Sequence, residues 1–381
     1  MRTVALRGRI VTDYEVWEEG TVLLEGGRVA GVGREALEAD EVHEYPECFV
    51  LPGFVDLQVN GSFGMDVVTD PGRLGELSER LVATGTTSYL PTVISSPVGL
   101  YRKVIPALAE AMSEAQPGAE PLGLHLEGPF INAEKKGAHP EEFLSPPDAG
   151  LLNELLDLGP VRMLTLAPEL KGAAELAEEA VRRGVAVSAG HSNAHFGLAY
   201  GSFDRRVAGV THLFNAMSPL HHREPGLPGA AFAHPRAISG LIADGRHVHP
   251  QTVALALRML GPDRLYLTTD AIAATGMGPG EYPLASRRTY LDAAEGVPTL
   301  SDGTIAGSIL TMDEAFRNIL TFTDCTIPEA ARMTAATPAR FVGEGARKGR
   351  LAPGYDADVA VLGPDNLAVA AVYKGGAKVF G

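Results

Sequence analysis

The chain has 381 residues, 45% of them hydrophobic, with 32 Lys and Arg set against 47 Asp and Glu for a formal net charge of −15. That apolar share can build a large core, and the length suits two domains or one big barrel with an appendage. The charge argues against nucleic acid and anionic membranes as partners, and no stretch approaches the roughly 18–20 apolar residues that cross a bilayer.

Near the N-terminus, Arg2, Arg7 and Arg9 run into Asp13, Glu15, Glu18 and Glu19. No uninterrupted apolar stretch follows the basic start, so no signal peptide is expected. Two distant cysteines, Cys48 and Cys325, make no disulfide framework and point to a reducing, cytoplasmic setting. Thr21–Glu25 and Arg28–Val32 flank Gly26-Gly27 and are predicted to form a hairpin. The other end of the chain has the same character, with short apolar segments at Ala357–Leu362 and Ala368–Tyr373. Neither end makes a stable sheet alone. Together they are expected to form one small β-sandwich domain from residues 1–50 and 341–381.

Residues 51–340 alternate between apolar runs of β character and helix-like segments. Eight runs stand out: Phe54–Val59, Ser88–Val93, Gly123–Leu126, Arg162–Ala167, Val185–Ala189, Gly209–Leu213, Ile238–Ala243 and Leu265–Thr269. Helices are predicted at Leu74–Thr84, Leu100–Ala115, Ala173–Arg183 and Pro250–Leu260. Pro250 sits at a helix start, and Gly85 and Gly184 follow helix ends. Eight βα units indicate an α/β fold with a closed (β/α)8 TIM-type barrel; an open doubly wound sheet is the alternative.

Polar residues fall at the ends of these runs. Gln58 and Asn60 end the first, Glu127 follows the third, His191 the fifth and His212 the sixth; Asp244 and His247 follow the seventh, and Asp270 ends the eighth. In a (β/α)8 barrel all strand C-termini open on one rim, so these side chains would converge. Singly, each reads more readily as a helix cap or a solvated turn residue than as a ligand. Two imidazoles and a carboxylate together form a three-ligand set for a catalytic divalent metal with a place left for water. Asp270 would then carry the proton from that water to a departing nitrogen, as amide hydrolysis requires.

Pro52–Asp56, the late Asp270 and Pro353–Asp358 resemble the amidohydrolase superfamily. More narrowly, His125–Phe130, Lys135–His139, Gly190–Ala194, Thr211–Met217, Arg223–Gly226 and Asp244–Val248 resemble, in order along the chain, the N-acetylglucosamine-6-phosphate deacetylase family. The resemblance implies metal ligation by Glu127, His191 and His212, acid/base catalysis by Asp270, and assistance at the acetyl carbonyl by His139. It implies substrate contacts at Ala138, Asn215, Ala216, Arg223, Asp244, Gly245, Arg246, His247, Ile305, Ala306 and Gly307. It further implies conversion of N-acetylglucosamine 6-phosphate to glucosamine 6-phosphate and acetate, in a cytoplasmic, commonly dimeric enzyme.

Many members of the wider superfamily carry His-x-His at the end of the first strand, supporting a second metal; here the positions read Gln58-Val59-Asn60. Side-chain amides are weak ligands for transition metals. One metal per chain is therefore expected, with Gln58 and Asn60 as vestigial second-metal positions or as plain hydrogen-bonding groups. Zinc suits the ligands, and iron, manganese or cobalt would also fit. Arg223, in the loop Ser218–Gly226, and His247 are expected to neutralise a substrate phosphate, against the alternative that Arg223 pairs with Glu224. The adjacent His221-His222 does not read as a metal pair, and Gly31-Val32-Gly33 lacks the context of a dinucleotide fingerprint. Two other functions fit less of the pattern: an amidohydrolase acting on a cyclic amide or nucleobase, and a non-catalytic sugar-phosphate-binding protein, which would have no need of a poised Asp270.

Overall fold

The structure, a computed structural model, describes every residue except Met1, Ala115, Ala293 and Glu295. At its centre lie eight parallel strands: β1 (Phe54–Val59), β2 (Thr86–Ile94), β3 (Leu124–Glu127), β4 (Val161–Leu166), β5 (Ala186–Ala189), β6 (Gly209–Val210), β7 (Ile238–Leu241) and β8 (Leu265–Leu267). Each pairs with its sequence neighbour, from β1 through to β8. The sheet is drawn closed by Asp56 of β1, whose carboxylate accepts from the Thr268 hydroxyl at 2.7 Å and the Thr269 hydroxyl at 2.5 Å. An isolated parallel bridge between Val59 and Ala271 completes the seam. The barrel expected from the alternating pattern is present, and the open sheet is excluded.

All eight predicted runs are strands, though the later ones end early. The run Gly209–Leu213 is a strand only at Gly209–Val210, because His212 turns into the left-handed region at φ 32°. Helices cover the barrel where the pattern was amphipathic. In the helix Ala173–Arg182 the buried residues Ala173, Leu176, Ala177 and Ala180 repeat at helical spacing. The predicted Leu100–Ala115 helix runs over Val98–Ser113, and Ala115 lies outside the described residues. Helices at Ala149–Leu158, Phe196–Arg205, Gly226–Ala233 and Met312–Phe322 were not predicted. Gly226–Ala233 (GLPGAAFA) is almost wholly buried and has no polar face to produce a period.

The terminal strands join in one seven-stranded sheet. Its order is Ala377–Phe380, Val369–Lys374, Val359–Leu362, Glu41–Pro52, Thr3–Val11, Val16–Glu25 and Arg28–Gly33. Val359–Leu362 runs antiparallel to Glu41–Pro52, with Val361 opposite Val50. The predicted hairpin forms: Glu25 pairs with Arg28, and Gly26 and Gly27 take φ 58° and 80°, the double left-handed turn that suits the twist of two strands. This sheet has its own apolar cluster, including Leu6, Ile10, Val22, Val50, Val361 and Tyr373.

Where the terminal sheet meets the barrel, the buried ammonium of Lys348 lies 2.6 Å from Glu120, 2.9 Å from Asp356 and 2.5 Å from Asp358. Arg347 adds bonds to Glu120 at 2.8 Å and Asp356 at 2.7 Å. These three carboxylates stand close enough to hold a metal ion, but Lys348 already supplies the cation. Among the described residues no helix is long and apolar enough to cross a membrane.

Candidate metal centre and active site

The strand C-termini open on a cavity of about 390 Å³. Glu127, the last residue of β3, reaches into it and is 3% exposed. One of its oxygens, Oε1, lies 3.2 Å from His191 Nε2 and 3.0 Å from His212 Nε2, and the two imidazole nitrogens are 3.1 Å apart. Ligands bound about 2.0–2.1 Å from a tetrahedral metal stand roughly 3.3 Å from one another, so this triangle has the dimensions of one ion's ligand shell. His191 Nδ1 faces the Lys135 carbonyl at 2.9 Å. Its N–H donates there, which leaves the Nε2 lone pair directed at the centre. The chemistry of this donor set fits a divalent cation: without one, nitrogen lone pairs and a carboxylate would confront each other in a buried space. Burial opposes ionisation of Glu127, but the imidazoles of His139, His191 and His212 packed around it hold its carboxyl well below the usual carboxylate range.

His139 also comes close to this cluster, with Nε2 3.6 Å from the other Glu127 oxygen. Glu127, His139 and His191 by themselves would qualify as a metal triad. Its tautomer argues otherwise. The Ser95 backbone N–H donates to His139 Nδ1 at 3.2 Å, and the Ser95 hydroxyl lies 2.8 Å from the same atom. Nδ1 is therefore the acceptor, the ring proton sits on Nε2, and that nitrogen is a donor rather than a ligand. Burial, reinforced by His191, pushes the His139 pKa down to about 4, so the ring is neutral near pH 7.

Asp270 follows β8. Its carboxylate accepts from the Asn60 side-chain amide at 2.7 Å. Burial, with Glu127 nearby, pushes its pKa up to about 8. Gln58 donates to Glu127 Oε1 at 2.9 Å. Both amides thus bind site carboxylates, which accounts for their presence without a second metal. Three of the four central residues adopt left-handed backbone: His191 at φ 47°, His212 at 32° and Asp270 at 53°. Such non-glycine conformations cost about 1–3 kcal/mol each and persist where the surroundings over-determine them. For Asp270 the surroundings include Ser308, whose N–H donates to the Asp270 carbonyl at 2.9 Å. Gly307 permits that approach, since a Cβ there would stand 2.3 Å from Ile272 Cγ2.

Of the predicted substrate contacts, Ala138, Asn215, Ala216, His247, Ile305 and Gly307 line the cavity. Asp244 lies behind His247, accepting from its Nδ1 at 2.6 Å and from the backbone N–H groups of Arg246 and His247 at 2.8 Å each. That fixes the His247 ring with Nε2 left free. Gly245 takes φ 72° in this turn. Arg246 is exposed, Ala306 is buried, and neither lines the cavity. Arg223 is exposed on its loop, also outside the cavity lining. Its expected alternative partner, Glu224, instead accepts from the backbone N–H groups of Phe196 at 2.6 Å and Gly226 at 3.2 Å. The cavity also has walls that sequence reasoning missed. Leu284 and Thr304 line it from a segment containing a small three-stranded sheet (Gly280–Leu284, Arg287–Leu291, Pro298–Thr299) that has no clear period. Lys135, within a motif already noted, lines it too.

The family model described as "Amidohydrolase family" matches residues 49–379. The chain is 37% identical over 388 residues to the N-acetylglucosamine-6-phosphate deacetylase of Bos taurus, with 98% of this chain and 93% of that one covered. It is 34% identical to the N-acetylgalactosamine-6-phosphate deacetylase of Escherichia coli O157:H7, with 94% and 95% covered. Among solved structures, a mutant N-acetyl-D-glucosamine-6-phosphate deacetylase from Mycobacterium smegmatis, in complex with N-acetyl-D-glucosamine-6-phosphate, superposes with a TM-score of 0.93 at 31% identity, with both chains wholly covered.

Proposed function

The chain belongs to the amidohydrolase family, and from that premise we propose that it is an N-acetylglucosamine-6-phosphate deacetylase, releasing acetate and glucosamine 6-phosphate. The observation that carries this reading is the convergence of Glu127 Oε1, His191 Nε2 and His212 Nε2 within 3.2 Å of one another in a cavity that Asp270 also lines. These three residues would hold a divalent cation, which we take to be one Zn²⁺ per chain, and its chemistry there would be to acidify water and polarise the amide carbonyl. Asp270, steadied by Asn60, takes the proton from the attacking water and returns it to the leaving nitrogen. His139 Nε2–H donates to the carbonyl oxygen as negative charge develops there.

The remaining lining residues suit a phosphorylated sugar. His247, with its free Nε2, meets the phosphate. Arg223 joins it from the rim loop, and its guanidinium forms no ion pair among the described residues, which supports that role. Asn215, Ala216, Ile305 and Gly307 frame the sugar, with Asp244, Gly245, Arg246 and Ala306 shaping the wall behind. The Escherichia coli relative supports testing the galacto epimer alongside the gluco one.

We assign residues 51–340 to the catalytic barrel, and residues 1–50 with 341–381 to the small β domain; the separate apolar cluster of the terminal sheet supports that division. Two free cysteines support a cytoplasmic location. The family resemblance also implies a homodimer, for which sedimentation at enzyme-assay concentration is the measurement. The deciding experiment is acetate release from N-acetylglucosamine 6-phosphate, with and without a chelator, beside the Asp270→Asn variant. Turnover unaffected by both would exclude the assignment.

A further inference from the structure

We propose that Glu169 is a positioning residue for His191 and thereby sets how tightly the metal is held; the inference rests on the metal-site reading above. Glu169 lies three residues beyond β4 and is not among the residues that line the cavity. Its carboxylate reaches the loops on either side. Oε1 accepts from the Asn193 backbone N–H at 2.6 Å and from Asn132 Nδ2 at 2.9 Å, while Oε2 accepts from the Ser192 hydroxyl at 2.7 Å. Among the described residues no Lys, Arg or His pairs with it, so these three donors are the partners that hold its charge.

The contacts close a ring around His191. Asn132, gripped by Glu169, accepts from the Glu134 N–H at 2.9 Å and so opens the short helix Ala133–Lys135. The Lys135 carbonyl at the end of that helix accepts His191 Nδ1–H at 2.9 Å. The Asn132 N–H donates to the His191 carbonyl at 2.9 Å. Ser192 and Asn193, the next residues along, return to Glu169. One carboxylate therefore fixes both the backbone that follows His191 and the carbonyl that orients its ring. His191 needs such support, because its left-handed backbone at φ 47° is not one its own sequence favours. A second tie, Asn193 Nδ2 to Glu134 Oε2 at 2.6 Å, joins the same loops at an exposed position. Loss of Glu169 should therefore loosen the site without destroying it.

The test is Zn²⁺ competition against a chelating indicator on the full chain, comparing the parent with Glu169→Ala, Glu169→Gln and His191→Asn. Glu169→Ala should weaken Zn²⁺ binding about 10–100-fold, the usual effect of losing a group that supports a metal-ligating histidine. At saturating Zn²⁺ its kcat should return to within about threefold of the parent, because no group that touches substrate has been removed. Glu169→Gln keeps one carbonyl acceptor and can donate to the Ser192 hydroxyl, so its affinity should fall between the two; it also serves if the alanine variant does not fold. If His191→Asn releases the metal while both Glu169 variants hold it as tightly as the parent, the positioning role alone is overturned. If the parent itself holds no metal, the metal-site reading falls and this inference with it.

Discussion

Asn60 donates its side-chain amide to Asp270 at 2.7 Å, joining the end of the first barrel strand to the end of the last. The carboxylate that we propose moves a proton is thus held by a neutral donor that neither ligates strongly nor competes for the proton. Asp270→Asn should lower kcat by about 10²–10⁴-fold, the usual share of a positioned acid/base, with substrate binding largely retained. Asn60→Leu should cost roughly tenfold in kcat through lost orientation. Steady-state kinetics with calorimetric binding checks both. A kcat for Asp270→Asn within threefold of the parent would remove it from the chemistry.

His139 and His212 both stand near Glu127, and their roles separate on metal content. His212→Asn should lose the ion, whereas His139→Asn should keep it and lose about 10–100-fold in kcat through the missing carbonyl donor. Metal analysis after exhaustive dialysis should return one equivalent per parent chain, since Gln58 and Asn60 are committed to Glu127 and Asp270. Metal lost from His139→Asn instead would make Glu127, His139 and His191 the ligand set.

His247 offers its free Nε2 to the cavity because Asp244 holds Nδ1. Removing a hydrogen bond to a charged group costs about 1.5–3 kcal/mol. His247→Leu should therefore raise KM for the phosphorylated sugar by about tenfold or more, and far less for unphosphorylated N-acetylglucosamine. Arg223→Met should show the same asymmetry. Equal effects on the two sugars would take the phosphate away from these residues.

Lys348 lies against three carboxylates, two of which also bond Arg347. Lys348→Met leaves Asp358 without its buried cation and should destabilise the chain by about 3–5 kcal/mol, read by denaturant unfolding. The same cluster sets part of the acid limit. Burial alone would raise the Glu120 carboxyl, but bonds to Arg347 and the charge of Lys348 bring it down to about 2, below its ordinary 4.5. A carboxyl depressed by folding contributes stability that is complete above its unfolded pKa and is lost as pH falls through the folded one. Between about pH 4.5 and 2 the parent should lose stability more steeply than Glu120→Gln, and matching slopes would show that Glu120 does not set this limit.

The barrel was legible because its strands are buried on both faces and read as apolar runs between amphipathic helices. Helix Gly226–Ala233 escaped because a segment apolar all round has no period to detect. The strands Thr3–Val11 and Glu41–Pro52, which hold the terminal sheet together, are interrupted by charges and by register shifts around Gly8, so their bounds were not legible, whereas the glycine hairpin and the two apolar C-terminal strands beside them were.

The places of Glu127, His191, His212 and Asp270 after successive strands were enough to bring them to one rim, because a closed parallel barrel turns every strand end the same way. Which donors face which acceptors emerged only on folding: that His139 presents a proton where His191 presents a lone pair, that Gln58 and Asn60 bind carboxylates, and that Glu169 braces two loops. Hydrogen-bond direction depends on partners distant in the chain and on backbone held in left-handed conformations, and neither leaves a local pattern to read.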